Sequence, residues 1–421
     1  MSFSSLNLSS ALINALPSAF KVPTDIQSQS IPVLLKGDDL LAIAQTGSGK
    51  TLAYGLPAVE KCLADGETSQ TNNEDNLTTI IIVPTRELAT QVCSDLDSIA
   101  QQVNVKIIKL SGGVDREQQV EQLQEKPNII VATPGRLLDL IQTNTLAIET
   151  VERVILDEAD RLLDMGFWPD IQTILSKLPS KKQTVMYSAT LPPELSERIN
   201  SQLNQPSYVQ VGEANQVVDN IEEQLFLVNK GSKTKALIQQ IQSSDWSQVL
   251  VFISAKDSAD GLSKKMAKAG IKCAALHGNK DQLDREQILE QFKDKSIQVL
   301  IATDVLARGI HIEQLPVVIN FDLPSDPTAY VHRVGRTARA GQQGLAISLV
   351  CHGETGYLEA IRKNTQRNLA VQTLAEFPVT DKPSSGESKR APRDKKANRR
   401  TNNKTSIKQF SKKSRSPRQS K

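Results

Sequence analysis

The sequence predicts an α/β protein with two parallel-sheet domains in tandem, followed by a disordered basic tail. Three observations carry this. Short apolar runs alternate with helical stretches as far as about Leu369, the mark of strands buried on both faces. The alternation lapses and restarts once, just beyond Tyr208. From about Pro378 the chain is mostly Lys, Arg, Ser, Asn and Pro, with too few apolar side chains to offset the entropy of ordering it. The expected division is 1–207 for the first domain, 208–217 for a linker, 218–377 for the second domain and 378–421 for the tail.

A length of 421 residues suits two or three domains, and 39% hydrophobic content supports a sizeable core. No apolar run approaches the ~20 residues of a membrane span. The N-terminus lacks a basic segment followed by an apolar core, so no signal peptide is expected. Cys62, Cys93, Cys273 and Cys351 are scattered, which argues against a zinc site or disulfide framework and fits a reducing cytoplasm. Charge is uneven. Residues 381–421 hold 15 Lys/Arg and 3 Asp/Glu, a net of +12, which leaves −9 on the rest of the chain. A basic tail on an acidic body points to a polyanion partner.

In the first domain, strands are expected at Leu40–Ala44, Thr79–Val83, Lys106–Leu110, Asn128–Ala132, Arg153–Leu156 and Gln183–Ser188. Polar Asp65–Asn76 reads as an exposed loop. The first strand runs into Ala44-Gln45-Thr46-Gly47-Ser48-Gly49-Lys50-Thr51, and Leu52, Ala53 and Leu56 then suit a helix. Strand, glycine loop, Gly-Lys-Thr and helix together form a phosphate cradle. Gly47 and Gly49 let backbone N–H groups turn inward, Lys50 reaches the β- and γ-phosphates, and Thr51 offers a hydroxyl to Mg²⁺. The helix N-terminus adds partial positive charge. Ala44 stands where the general pattern has glycine.

The strand Arg153–Leu156 ends in Asp157-Glu158-Ala159-Asp160. Such a strand end is the usual partner of a phosphate loop. Asp157 can hold Mg²⁺, and Glu158 can orient and deprotonate an attacking water. Alone, an acidic pair at a strand end is often merely solvated. With the phosphate loop upstream the pair becomes a specific signal. Pro84-Thr85-Arg86-Glu87-Leu88, Gly112-Gly113 and Thr133-Pro134-Gly135-Arg136 lie at strand-to-helix junctions. Helix-start N–H groups together with Arg bind phosphates without reading bases. Taken singly, each of these segments reads more readily as a helix cap or turn, but three of them at strand ends beside a phosphate loop reverse that balance.

The second domain is expected to have strands at Gln224–Val228, Gln248–Ile253, Ile271–Leu276, Gln298–Ala302, Val317–Phe321 and Ala346–Val350, and no phosphate loop. His332-Arg333-Val334-Gly335-Arg336-Thr337-Ala338-Arg339 places Arg336 and Arg339 three apart, on one side of a helical turn.

Asp-Glu-Ala-Asp and these motifs, in this order, resemble the DEAD-box RNA helicases, a branch of helicase superfamily 2. The likeness runs from Phe3 to about Leu369. It implies two RecA-like domains, ATP and Mg²⁺ as cofactors, and RNA as partner with little sequence preference. Within it, Phe20-Lys21-Val22-Pro23-Thr24-Asp25-Ile26-Gln27 resembles the Q motif, with Gln27 reading adenine and Phe3 as the isolated upstream aromatic. Pro84, Thr85, Arg86, Gly113, Thr133, Pro134, Gly135, Arg136, Arg285 and Thr303 would contact RNA. Asp160, Ser188, Thr190, Arg308, Gly309 and His332 would couple ATP state to RNA. Glu158, Lys50, Arg336 and Arg339 would be catalytic, the two arginines acting as fingers worth roughly 4–7 kcal/mol. His311 replaces the usual aspartate, and Ala338 a glycine. The plain tail resembles bacterial RhlE-like members, which implies a cytoplasmic protein with a monomeric core acting on ribosomal precursors or in RNA-degradation complexes. The alternatives are an ATP-locked RNA clamp and a DNA-directed superfamily 2 helicase.

The tail, with Phe410 as its single aromatic, suits phosphate contact over base stacking. Removing residues 381–421 is expected to flatten the salt dependence of RNA affinity, by about 0.7 in log–log slope for each phosphate the tail neutralises. A titration series in KCl measures this, and an unchanged slope contradicts it.

Overall fold

The computed structural model describes residues 2–18, 20–45, 47–68, 77–211, 220–304, 315–337 and 343–382, of which 64–68 and Asn200 are described in backbone only. Thr46, Arg308, Gly309, His311, Ala338, Arg339 and the tail from residue 383 onward lie outside the described residues.

The first sheet holds β1 (Leu40–Ala44), β2 (Thr79–Ile82), β3 (Ile107–Leu110), β4 (Ile129–Ala132), β5 (Arg153–Leu156), β6 (Gln183–Ser188) and β7 (Ser207–Val211). Its spatial order is β3-β4-β2-β5-β6-β1-β7, parallel throughout. The second holds β8 (Ile221–Leu227), β9 (Val249–Phe252), β10 (Cys273–Leu276), β11 (Val299–Ala302), β12 (Val317–Asn320), β13 (Gly344–Val350) and β14 (Val371–Thr373). Its order, β10-β11-β9-β12-β13-β8-β14, is also parallel. Counted from β8, it repeats the order of the first sheet strand for strand. Both are RecA-like α/β layers.

Both faces of each sheet are covered. Ile80, Ile82, Ile130 and Leu156 pack into one core of the first domain, while Ile81, Ile129, Val131 and Ile155 pack into the other. Consecutive residues of a strand point to opposite faces, so a strand buried on both must be largely apolar, with any buried polar side chain hydrogen-bonded. That is why these strands were legible as unbroken apolar runs.

The structure corrects three readings. The helix that begins at Lys50 continues to Thr68, so 65–68 are helical rather than loop; 69–76 lie outside the described residues. The segment expected to start the linker at residue 208 is instead part of β7, which pairs with β1 over Ser207–Val211. Its burial alternates, with Val209 inward and Tyr208 and Gln210 exposed, so it lacks the apolar run that marked the other strands. β14 adds an edge strand beyond Leu369, paired with β8.

One buried cation fastens the amino ends of the central strands. Arg153, 5% exposed, donates from Nε to Gln183 Oε1 (2.5 Å), from Nη1 to Pro57 O (2.6 Å) and from Nη2 to Leu34 O (3.0 Å). It ties β5 to β6 and to the helices Asp25–Lys36 and Lys50–Thr68. Charged hydrogen bonds of this kind are worth about 1.5–3 kcal/mol, and their loss strands buried acceptors. Arg153→Met is expected to cost about 3 kcal/mol of first-domain stability. Urea unfolding measures it, and a loss below about 1 kcal/mol contradicts the assignment.

Candidate active site and nucleic-acid interface

In a parallel α/β sheet, ligands sit outside the carboxyl ends of the strands. The motifs divide along that edge. The phosphate loop follows β1, Asp157–Asp160 follow β5, and Ser188–Thr190 follow β6, and these three strands are neighbours in the order β5-β6-β1. Pro84–Glu87 follow β2, Gly112–Gly113 follow β3, and Thr133–Arg136 follow β4, which are neighbours in the order β3-β4-β2. The residues expected to handle phosphate and those expected to contact RNA therefore follow strands in the two halves of one edge, which adjoin at β5 and β2.

The loop turns through Gly47 (φ 81°) and Gly49 (φ 92°), both in the left-handed region that favours glycine. Ser48 Oγ donates to Gln45 O at 2.8 Å. Lys50 is buried, and its Nζ donates to Ala44 O at 2.8 Å, folding across the loop it serves. Thr51 is half-buried on the first turn of the helix. Gln27 braces this loop. Its Nε2 donates to Gly49 O (3.1 Å) and its Oε1 accepts from Thr24 N (2.9 Å) in a capping box that starts the helix Asp25–Lys36. A Cβ on Gly49 would lie 2.6 Å from Gln27 Nε2. One amide hydrogen and one lone pair of Gln27 stay available for a base edge. The two aromatics separate. Phe20 is 44% exposed, whereas Phe3 is 4% exposed and packs in the first domain's core.

Asp157, Glu158 and Asp160 are all buried. Asp157 accepts from Tyr54 Oη at Oδ2 (2.8 Å) and from Glu158 N at Oδ1 (2.9 Å). Burial pushes its carboxyl up to about 6, with Lys50 opposing and Glu158 adding to the shift. Glu158 has φ 53° and ψ 53°, left-handed for a non-glycine, and its Oε2 accepts from Arg161 Nη1 at 2.5 Å. Asp160 Oδ2 accepts from both Thr190 N (2.9 Å) and Thr190 Oγ1 (2.8 Å), while Ser188 Oγ accepts from Asp160 N (3.2 Å). Ser188 and Thr190 thus bind the acidic turn. They do not cap the following helix, which begins at Pro193 with no side-chain cap.

These residues suit Mg²⁺. Each Asp157 oxygen keeps a lone pair beyond its one hydrogen bond, Thr51 stands at the loop, and a dication would relieve the cost of the buried carboxylate. Among the described residues no group of three or more His, Cys, Asp and Glu gathers elsewhere as a cage. A single carboxylate and a hydroxyl are the protein share expected for a cation that keeps water and phosphate ligands.

On the other half of the edge, Thr85 Oγ1 accepts from Leu88 N (3.3 Å) and caps the helix Arg86–Ala100. A Cβ on Gly113 (φ 76°) would collide with the Arg86 guanidinium, so glycine there lets the arginine lie flat against the loop. Arg136 Nη2 donates to Val114 O at 3.1 Å. Thr133 precedes Pro134 at the start of the helix Pro134–Gln142, and Gly135 is exposed on its first turn. Of these segments only Thr85 caps a helix through its side chain, and all three lie side by side at the ends of β2, β3 and β4.

In the second domain, Thr303 is half-buried after β11, beside Asp304. Arg333 is fully buried and grips Asp304 through Nε–Oδ1 (2.6 Å) and Nη2–Oδ2 (2.7 Å). His332, half-buried, precedes it on the helix Pro327–Val334. That helix stops at Val334, so Arg336 lies in the turn beyond it and not on the helical face expected. Arg336 is buried, and its carbonyl accepts from Leu315 N (3.3 Å). Arg285, 7% exposed, reaches from the second domain to the first, where its Nη2 pairs with Glu87 Oε1.

The DEAD/DEAH box helicase family matches residues 24–198, and the helicase conserved C-terminal domain matches residues 232–341. The chain is 39% identical to the DEAD-box ATP-dependent RNA helicase CshA of Bacillus subtilis over 370 residues, 88% of this chain and 73% of that one. The chain belongs to the DEAD-box family of ATP-dependent RNA helicases. It is also 38% identical to the RNA helicase CrhR of Synechocystis over 356 residues, 84% of this chain and 70% of that one. Among solved structures, Saccharomyces cerevisiae Dbp5 bound to RNA and ADP BeF3 superposes with a TM-score of 0.78 at 28% identity, covering 88% of this chain and 95% of that chain.

Three contacts in this DEAD-box chain escaped the motif reading: Tyr54 on Asp157, Arg161 on Glu158, and Glu87 on Arg285. Only Arg161 has a local signal, lying three residues after Glu158 on the turn that opens the following helix. Tyr54 reaches Asp157 from the helix Lys50–Thr68, a long-range contact like Glu87 on Arg285, and neither has such a signal.

For a carboxyl raised from 3.8 to about 6, the folded form holds an extra proton between those values. Stability therefore falls as pH rises through that window and levels off above it. In metal-free and nucleotide-free protein, Asp157→Asn is expected to be stabilising at pH 7.5 by about 2 kcal/mol, with the gain fading toward pH 4. Thermal melts across pH check this; a variant no more stable than the parent at pH 7.5 contradicts it.

Proposed function

We propose that this DEAD-box protein hydrolyses ATP in an RNA-stimulated manner, locally unwinding short RNA duplexes or remodelling RNA–protein complexes. The observation that carries the reading is the division of one sheet edge. The glycine loop and the acidic turn follow strands of the β5-β6-β1 half, and the segments read as RNA-contacting follow strands of the adjoining β3-β4-β2 half. The likeness to Dbp5 in its complex with RNA and ADP BeF3 supports it, because the match spans both halves of the chain.

In this reading Gly47, Gly49 and Lys50 hold the β- and γ-phosphates, and Gln27 offers its remaining amide hydrogen and lone pair to adenine, with Phe20 exposed beside it. Mg²⁺, held by Thr51 and Asp157, supplies charge neutralisation between the β- and γ-phosphates. Glu158 takes a proton from the attacking water. Arg336 and Arg339 come from the second domain, so hydrolysis requires both halves. Arg86, Arg136, Arg285, Thr85, Thr133 and Thr303, with backbone at Pro84, Gly113, Pro134 and Gly135, contact RNA backbone, and 2′-hydroxyl contacts favour RNA over DNA. Asp160, Ser188 and Thr190 carry ATP state toward the RNA half, with Arg308, Gly309 and His332 as their counterparts in the second domain. Residues 1–207 and 218–377 are the two working halves, with β7 extending the first to Val211. Cytoplasmic ribosome assembly or RNA turnover is the cellular setting proposed.

The test is ATP hydrolysis without nucleic acid, with single-stranded RNA and with DNA of equal length, alongside Glu158→Gln. Stimulation by RNA only, abolished in the variant, is expected. Equal stimulation by DNA overturns the RNA assignment, and ATP-dependent RNA binding without hydrolysis overturns the enzymatic one.

A further inference from the structure

The Glu158 side chain is held at one oxygen only. Its backbone is fixed by the left-handed turn (φ 53°, ψ 53°) and by its N–H on Asp157 Oδ1. Its Oε2 is fixed by Arg161 Nη1 at 2.5 Å, with side chains 9% and 6% exposed. Among the described residues, no hydrogen bond reaches Oε1. Arg161 is itself fixed, because its N–H donates to Asp160 Oδ1 at 3.0 Å, and Asp160 is held by Thr190 and Ser188. A continuous chain of contacts thus runs from the end of β6, through Asp160 and Arg161, to one oxygen of Glu158.

We propose that Arg161 is a positioning residue for ATP hydrolysis, holding Glu158 Oε2 so that Oε1 is presented to the attacking water. This rests on reading Glu158 as the water-activating base. In the step it serves, the water oxygen bonds to the γ-phosphorus, the bond from that phosphorus to the β–γ bridging oxygen breaks, and ADP leaves with the bridging oxygen. The water proton passes to Glu158 Oε1. Two features favour positioning over a purely structural pair. A buried ion pair is a weak source of stability, since desolvation offsets most of its attraction. A guanidinium spread over both carboxylate oxygens would block the base, whereas this contact occupies one. The planar, fixed donors of arginine suit that task better than a mobile ammonium.

The test uses full-length Arg161→Ala and Arg161→Lys at saturating RNA. For Arg161→Ala, kcat is expected to fall by about 10²-fold, with ATP KM and the Kd of a fluorescent ADP unchanged. Arg161→Lys should recover part of that loss. Added guanidinium chloride at millimolar concentration should raise the rate of Arg161→Ala and leave the parent unaffected. Combined with Glu158→Gln, Arg161→Ala should cost nothing further, because the two act as one unit. A kcat like the parent's while Glu158→Gln is inactive overturns this proposal alone. A loss expressed in ATP KM or ADP Kd, or one additive with Glu158→Gln, also overturns it. Full activity in Glu158→Gln overturns the reading of Glu158 as base and the proposal with it. A lowered melting temperature in Arg161→Ala without guanidinium rescue, and with no recovery in Arg161→Lys, assigns the residue to folding and overturns the proposal.

Discussion

Everything in this chain depends on the parallel direction of its strands. A parallel sheet needs a helical crossover between successive strands, so helices cover both faces and leave only the edges for chemistry. All strand carboxyl ends of one sheet point the same way, toward the N-termini of the helices that follow, where unpaired N–H groups face outward. That geometry sets helix starts along the carboxyl edge at two places. One is the glycine loop after β1, the other the helix starts after β2 and β4. The strand order β3-β4-β2-β5-β6-β1-β7 then decides that the two sets lie adjacent without mixing.

Much of this was legible in the sequence because burial on both faces makes the central strands largely apolar. The runs at Leu40–Ala44 and Arg153–Leu156 match the observed strands residue for residue. β7 was missed for the converse reason: its edge position leaves Tyr208 and Gln210 exposed, so its pattern is mixed. The helix end past residue 64 was missed because polar composition does not stop a helix that is already nucleated. Within the candidate site, spacing could place Lys50, Thr51, Asp157 and Glu158 at strand ends. It could not show that Phe3 would be recruited to the core, or that Arg336 would fall beyond a helix ending at Val334. Those outcomes depend on tertiary packing, which a local pattern does not encode.

The distribution of buried charge separates support from chemistry. Arg153 and Arg333 are cations with several oxygen partners each, and they fasten neighbouring elements of their own domains together. Asp157 is the opposite case. Burial holds its carboxyl near 6, so its charge is maintained at some cost to the empty protein. Two neutral donors, Tyr54 Oη and Glu158 N, ease that cost without supplying a countercharge. Such a group is poised for a cation, and strain of this sort belongs at a site whose function repays it.

The two halves share strand order but not equipment. Only the first carries a glycine phosphate loop, and only the second carries the segment around Arg333 and Arg336. The pair between Glu87 and Arg285 joins the two halves beside the phosphate-binding segments of the first. Burial lowers the tendency of Arg285 to stay charged, and the Glu87 carboxylate opposes that shift. Glu87 directly follows Arg86, the arginine packed against Gly113. A contact that joins the halves and the residues expected to meet RNA backbone therefore share one turn of one helix.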